Sequence, residues 1–276
     1  MIIDRKKNGQ CIFAQISDLH ICKEGELFNK VFDTSAALDQ CIKSINNLYP
    51  KPDFVLATGD LVDQPSHEAY KITRQKLNKL QMPVFVMPGN HDDRTKLQDE
   101  FEDSCYLKCS GQVLSYCIEN YPLRVIALDT LDPNTGEAEI CEQRLNWLAK
   151  KLIEEPTKPT LLAMHHNPVL TRLNFKGDKY AFDGAQKLEQ LLAGHSQVLW
   201  ITSGHLHRQV IFSLGKVPVT VAPSATCMRT LTMDNNMPKE LINEPPGYLL
   251  FIWHPKTGII CHNNVIGNFK KRHALL

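Results

Sequence analysis

The chain has 276 residues, 31 Lys+Arg against 30 Asp+Glu, a formal net charge of +1, 43% hydrophobic and 22% charged residues. That composition excludes intrinsic disorder and fibrous repeats, and one large domain or two small ones of this total length bury well over half of the unfolded surface. Near-neutral charge argues against a protein built to track a polyanion, because non-specific nucleic-acid affinity comes mainly from many Lys and Arg side chains neutralising phosphates. The longest unbroken apolar stretch, Tyr248 to Trp253, is far short of the roughly 20 residues of a membrane helix. The N-terminus is charged before any apolar run begins, so no secretory signal is expected and the reading is cytoplasmic, without membrane contact. Nine cysteines, at 11, 22, 41, 105, 109, 117, 141, 227 and 261, form no C-x-x-C pair, and buried free thiols are expected.

In chain order, short apolar runs each end in a polar turn: Ile12–Ile16, Phe54–Ala57, Val84–Met87, Val125–Leu128, Leu161–Ala163, Val198–Ile201, Val217–Val221 and Tyr248–Trp253. These read as buried strands. Between them, Leu38, Cys41, Ile42, Ile45 and Leu48 fall at helical spacing, as do Leu145, Leu148 and Leu152, and helices are also expected near 66–80 and 184–193. Alternation of strand and helix predicts an α/β fold with sheets covered by helices. After about residue 208 the helical patterns stop, and the late segment, 208–276, is expected to complete a second sheet. With no repeat and no linker, the expectation is a single domain over 1–276: a two-sheet β-sandwich flanked by helices.

The residues that follow these strands are unusual in kind. They are Asp18-Leu19-His20, Gly59-Asp60, Gly89-Asn90-His91-Asp92, His165-His166 and Gly204-His205-Leu206-His207, and they hold six of the 11 histidines. In open α/β sheets the ligand crevice lies outside the carboxyl ends of the strands, so these clusters are expected to converge. Oxygen and imidazole donors without thiolate suit Mn, Fe, Zn or Co. The donors exceed the needs of one catalytic metal and suit two that share a carboxylate, a pair roughly 3.5–4 Å apart being a recurrent arrangement in phosphoryl chemistry.

The pattern D-x-H, G-D, G-N-H-[D/E], H and G-H-x-H, present in full and in order from Asp18 to His207, resembles the calcineurin-like metallophosphoesterases. Each motif alone is weak, and the five together are specific. The resemblance implies an α/β/β/α fold, with one metal held by Asp18, His20, Asp60 and His207 and the other by Asp60, Asn90, His165 and His205. Asp60 would bridge them. A water bound between such ions has its pKa lowered toward about 7, and the hydroxide would attack phosphorus in line. His91 would face the substrate and donate a proton or hydrogen bond to a phosphoryl or leaving-group oxygen. Asn90, His166 and His207 are likewise implied on the substrate side, with His165 rather than His166 as the ligand. Asp92 is open between orienting His91 and capping the helix that begins near Asp93. Asp63 and Asp129 also end strand-like segments, and a turn or cap role is the simpler one for each. His67, His195, His254, His262 and His273 match no motif.

Chain size and the G-N-H-D form resemble the bacterial class III cyclic-nucleotide phosphodiesterases and related glycerophosphodiesterases. The resemblance implies hydrolysis of a small-molecule phosphodiester, first 3′,5′-cyclic AMP to 5′-AMP, alternatively a glycerophosphodiester or a broad range of diesters. Cofactors would be two divalent metals, Mn or Fe first, with Zn or Co as options, and a homodimer is possible. Loops Thr226–Asn236 and Asn167–Phe182 would line the substrate pocket, with Arg172, Lys176, Lys179 and Arg229 as anion contacts if they are not simply solvated. Two other classes remain: an inactive scaffold, disfavoured because every motif residue is kept, and a nuclease, disfavoured because the one basic cluster, Lys270-Lys271-Arg272, lies in the tail.

Overall fold

The computed structural model describes residues 9–107, 113–132, 134–173, 184–234, 236–267 and 269. Its strands are β1 (Cys11–Ile16), β2 (Phe54–Thr58), β3 (Val84–Met87), β4 (Tyr116–Ile118), β5 (Arg124–Leu128), β6 (Thr160–Met164), β7 (Val198–Ser203), β8 (Val210–Leu214), β9 (Val217–Val221), β10 (Met228–Arg229), β11 (Leu241–Ile242), β12 (Gly247–His254) and β13 (Gly258–Val265). Helices α1 (Thr34–Asn46), α2 (His67–Leu77), α3 (Arg94–Glu100), α4 (Glu142–Glu154) and α5 (Ala185–Ala193) lie between the strands. One sheet runs β13-β12-β1-β2-β3 and the other β4-β5-β6-β7-β9-β8, while β10 and β11 pair as a separate ribbon.

The side-chain period of two explains the layers. Along β5, Val125 and Ala127 join the core between the sheets, whereas Ile126 and Leu128 join a second core. Leu161 and Ala163 against Leu162 and Met164 repeat the division in β6. The second core is closed by Leu145, Leu148 and Leu152 of α4 and by Leu188 and Leu192 of α5. On the other side Leu38, Cys41, Ile42 and Ile45 of α1 and Ala69, Tyr70 and Leu77 of α2 pack on the first sheet. Helices α1, α2 and α3 start where short polar side chains satisfy free backbone N–H groups: Asp33 accepts from Ala36 N, Ser66 from Ala69 N and Asp93 from Lys96 N.

Two contacts tie the interior together. Phe13 is stacked between Phe54 and Phe251 of its neighbouring strands, ring centroids 4.8 Å apart on each side, a cross-strand arrangement that adds to the area each ring buries. Gln15 of β1 donates to Thr58 Oγ1 at 2.9 Å and to Ser203 O at 2.9 Å and accepts from Thr202 Oγ1, so a single buried amide clamps the two sheets.

The late segment does not complete one sheet as expected from the sequence. β8 and β9 extend the second sheet, whereas β12 pairs antiparallel with β1 and brings β13 into the first. An apolar run states that a strand is buried but not which edge it joins, and here Phe251 opposite Phe13 decides it. Among the described residues eight cysteines are free; Cys11, Cys22, Cys41 and Cys227 are buried as expected, whereas Cys105 is exposed. Cys109, His273, Lys176, Lys179 and the cluster 270–272 lie outside the described residues. No helix among the described residues is long and apolar enough to cross a membrane.

Asp129, following β5, makes the turn bond expected of it and is also a buried ion-pair partner. Arg94 of α3 grips its two oxygens at 2.6 and 2.9 Å, and the same carboxylate accepts from Leu114 N and Leu131 N. Removing one member of a buried pair leaves the other charge uncompensated. Asp129→Ala is therefore expected to lower stability by about 3–5 kcal/mol, read as a lower urea midpoint at an unchanged slope.

Candidate metal centre

Parallel strands β1, β2 and β3 of the first sheet and β5, β6, β7 and β9 of the second present their carboxyl ends to one region. Turns there must be abrupt. Asp18, His20, Asp60, His205 and His207 all adopt positive φ, 55, 43, 50, 74 and 54°, a region that non-glycine residues rarely visit and that costs of order 1–3 kcal/mol each. Neighbouring side chains hold these turns. Ser224 Oγ and Thr226 Oγ1, both after β9, donate to Asp18 O at 2.8 and 3.1 Å.

The motif side chains meet. His20 Nε2 is 2.9 Å from His207 Nε2 and 3.6 Å from Asp60 Oδ2, and His207 Nε2 is 3.6 Å from Asp18 Oδ1. On the other side, His165 Nε2 is 3.3 Å from Asp60 Oδ1 and 3.2 Å from Asn90 Oδ1, and Asn90 Oδ1 is 2.9 Å from His205 Nδ1. Asp60 thus turns one oxygen to each group. Backbone N–H groups aim the carboxylates, His91 N donating to Asp60 Oδ1 and His205 N to both oxygens of Asp18. Carbonyls aim the imidazoles: Nδ1 of His165 donates to Thr58 O at 2.7 Å and Nδ1 of His207 to Cys227 O at 3.0 Å. Each ring therefore directs Nε2 inward.

Lone pairs and carboxylates in this pocket suit a cation. Burial holds His20 neutral, its pKa lowered to about 3, and burial keeps His205 and His207 well below the usual imidazole range. With Nδ1 of His207 committed to a carbonyl, its Nε2 faces His20 and Asp18 as a lone pair. Burial also raises Asp18 to about 6, against the lowering field of His165. Asp60 stays well below the usual carboxylate range: burial raises it, but the charge and hydrogen bond of His165 prevail. Acceptors spaced at 2.9 to 3.6 Å suit the edges of a coordination shell with bonds of about 2.1 Å. The donor set fits a metal pair, one position among Asp18, His20, Asp60 and His207 and one among Asp60, Asn90, His165 and His205.

His91 borders the first position, its ring edge-on to His20 at 4.7 Å. Nδ1 donates to Asp63 O at 2.9 Å and lies 3.4 Å from Asp63 Oδ1. Burial opposes charge on this ring, but the hydrogen bonds to Asp63 and the field of Asp60 raise its pKa to about 10. Asp63, read from sequence as a turn residue, is thus the orienting partner, and Asp92 is not. The Asp92 carboxylate accepts from Gly89 N, Leu61 N and Tyr70 Oη, bracing the turns that carry Asp60 and Asn90, and Asp93 is the helix cap. His166 is buried with Nδ1 2.8 Å from Thr130 Oγ1 and its ring packed against His165 and His205, and Nε2 has no hydrogen-bond partner. Sequence reasoning also missed Thr130 and Ser224, small hydroxylic residues after a strand, and took Thr226 only as the start of a substrate loop, whereas its hydroxyl braces the Asp18 carbonyl. Arg229 approaches the centre, whereas Arg172 is exposed.

Comparison with known proteins bears on this arrangement. Residues 12–209 match the model of the calcineurin-like phosphoesterases. A probable glycerophosphodiester phosphodiesterase GpdQ from Arcobacter nitrofigilis is 36% identical over 260 residues, 94% of each chain. A probable cyclic nucleotide phosphodiesterase from Synechococcus is 33% identical over 226 residues, 78% of this chain and 80% of its own. In fold, a dimetal phosphatase from Danio rerio superposes with a TM-score of 0.58 at 14% identity, covering 93% of this chain and 99% of its own.

Gly89 lies so close to its neighbours that an added Cβ would stand 2.3 Å from both Asp60 N and Asp60 Oδ1. Gly89→Ala must shift that carboxylate. The expected result is at least tenfold weaker Mn²⁺ binding by calorimetry, with far-UV circular dichroism close to that of the parent protein.

Proposed function

The chain belongs to the calcineurin-like phosphoesterase family, and from that membership we propose that it is a metal-dependent hydrolase of small phosphodiesters. The observation that carries this reading is the Asp60 carboxylate, with Oδ1 toward His165 and Oδ2 toward His20. Asp18, His20, Asp60 and His207 would hold one divalent ion and Asp60, Asn90, His165 and His205 the other. Such ions supply Lewis acidity and a water whose pKa falls toward about 7.

The chain's own residues do the rest. Two carboxylates against a pair of divalent cations leave the pocket positive, which attracts a diester monoanion, and Asn90, a neutral amide, coordinates without cancelling that charge. His91 carries the mobile proton. Its Nδ1–H is fixed on the Asp63 carbonyl, so Nε2 is the atom that gives a proton or hydrogen bond to the departing alkoxide, a contribution typically of 10²–10⁴-fold. His166 presents a buried ring nitrogen with no partner among the described residues to the substrate side, whereas His207, expected there from the sequence, has Nδ1 on the Cys227 carbonyl and Nε2 among the metal-position donors and so has no nitrogen left for substrate.

Two substrates are read for this centre. A glycerophosphodiester is supported by the relative named for that activity, which matches along nearly the whole chain. The cleavage of 3′,5′-cyclic AMP to 5′-AMP, the first expectation from the sequence, is supported by the relative named for cyclic nucleotides. Protein loaded with Mn²⁺ and assayed on cyclic AMP, glycerophosphocholine and bis(p-nitrophenyl) phosphate ranks them, and no turnover of any would overturn the reading.

Asp60→Ala is expected to abolish turnover and to leave at most one bound metal by elemental analysis, since both positions lose a ligand. His91→Ala is expected to keep both metals while kcat falls about 10²–10⁴-fold, most for the poorest leaving group.

A further inference from the structure

A cavity of about 540 Å³ opens beside the centre, lined among others by Phe28, Phe32, Asp63, Arg229 and Leu241. Two of its lining residues pack against residues of the centre. Phe28 is stacked on His20, ring centroids 4.5 Å apart and planes within 16°, and Asp63 is the residue that holds His91. One wall is the segment Phe28 to Phe32, closed on itself by the bridge between those residues, where Asn29 and Lys30 take positive φ in a tight turn. Facing it is the ribbon of β10 and β11, which pairs Arg229 with Leu241. Arg229, half-buried, belongs to the same lining and lies within the fields of Asp18 and Asp60.

Size and lining say what fits. The cavity is an open cleft, and a volume of this order is far more room than a glycerol arm fills. Two phenylalanines on one wall offer flat apolar surface, which pairs with planar rings in offset or edge-on contact. A guanidinium beside the cation positions matches phosphoryl oxygens in charge and in its planar fork of donors. We propose that this cavity is a subsite for a planar aromatic alcohol arm, a nucleoside or aryl group, packed against Phe28 and Phe32 while Arg229 holds a non-bridging phosphoryl oxygen. The substrate class is then phosphodiesters with at least one aromatic arm. This rests on the phosphodiesterase reading and narrows it.

Mn²⁺-loaded full-length protein is assayed on the p-nitrophenyl ester of thymidine 5′-monophosphate and on glycerophosphocholine, with bound metal measured in each variant. In Phe28→Leu the ratio of kcat/KM for the thymidine ester to that for glycerophosphocholine should fall at least about fivefold, the size expected when base stacking is lost. KM should carry the change, and Phe28→Trp should restore the ratio. A ratio that stays put with both metals bound overturns the proposal. If Phe28→Leu loses metal because His20 is disturbed, Phe32→Leu, on the same wall, is read in the same way. Should the parent protein turn over neither ester, the phosphodiesterase reading fails by itself, and calorimetric titration with 5′-AMP judges the subsite. Equal affinity of parent and Phe28→Leu for 5′-AMP overturns it, and affinity lowered at least fivefold in the variant upholds it.

Discussion

Asp60 sits at 2% exposure with its two oxygens turned toward different histidines, and that placement is tolerable only if positive charge lies on both sides of it. Ionised carboxylates are costly to bury unless paired or bound to metal. Without a cation the protein finds its compensation in the proton on His165, whose pKa is raised to about 9 because the field of Asp60 outweighs the penalty of burial. A cation held at this position would displace that proton, so loading it would release acid. Burial keeps His20, His205 and His207 neutral, so these three offer lone pairs, whereas His91 and His165 carry charge.

Backbone strain is the counterpart of that electrostatic demand. Five candidate ligands in left-handed turns represent several kcal/mol that isolated loops could not sustain. They persist because surrounding groups overdetermine them. Asp92 ties the Gly89 and Leu61 N–H groups to Tyr70, Ser224 and Thr226 cap the carbonyl of Asp18, and glycines allow the turns to approach one another. In Gly204 an added Cβ would come within 1.9 Å of Ser17 Oγ, so the glycine of the last motif is dictated by steric contact with the first.

Much of this was legible because strong physical signals are local. Strands buried on both faces read as unbroken apolar runs, and β1, β2, β3, β5, β6, β7, β9 and β12 were all visible in that way. By contrast β4, with three residues, is too short to show a period, and β13, at a sheet edge, mixes Ile259 and Ile260 with His262, Asn263 and Asn264. The motif residues stood out because Asp, Asn and His rarely cluster after apolar runs. What they rest on did not, because the acceptors that orient His165, His207 and His91 are the main-chain carbonyls of Thr58, Cys227 and Asp63, which every residue possesses. Choosing Asp63 over Asp92 required the course of the chain: both follow strand ends, and only one faces the imidazole.

Each of the two candidate cation positions draws on both sheets. Asp18, His20 and Asp60 follow strands of the first sheet and His207 a strand of the second; Asp60 and Asn90 come from the first, His165 and His205 from the second. Ions held there would be rivets as well as reagents. Because a ligand that binds only the folded chain stabilises it by mass action, heat resistance would then follow free metal concentration, and scarcity of metal would loosen the joint between the halves of the sandwich before it loosened either half.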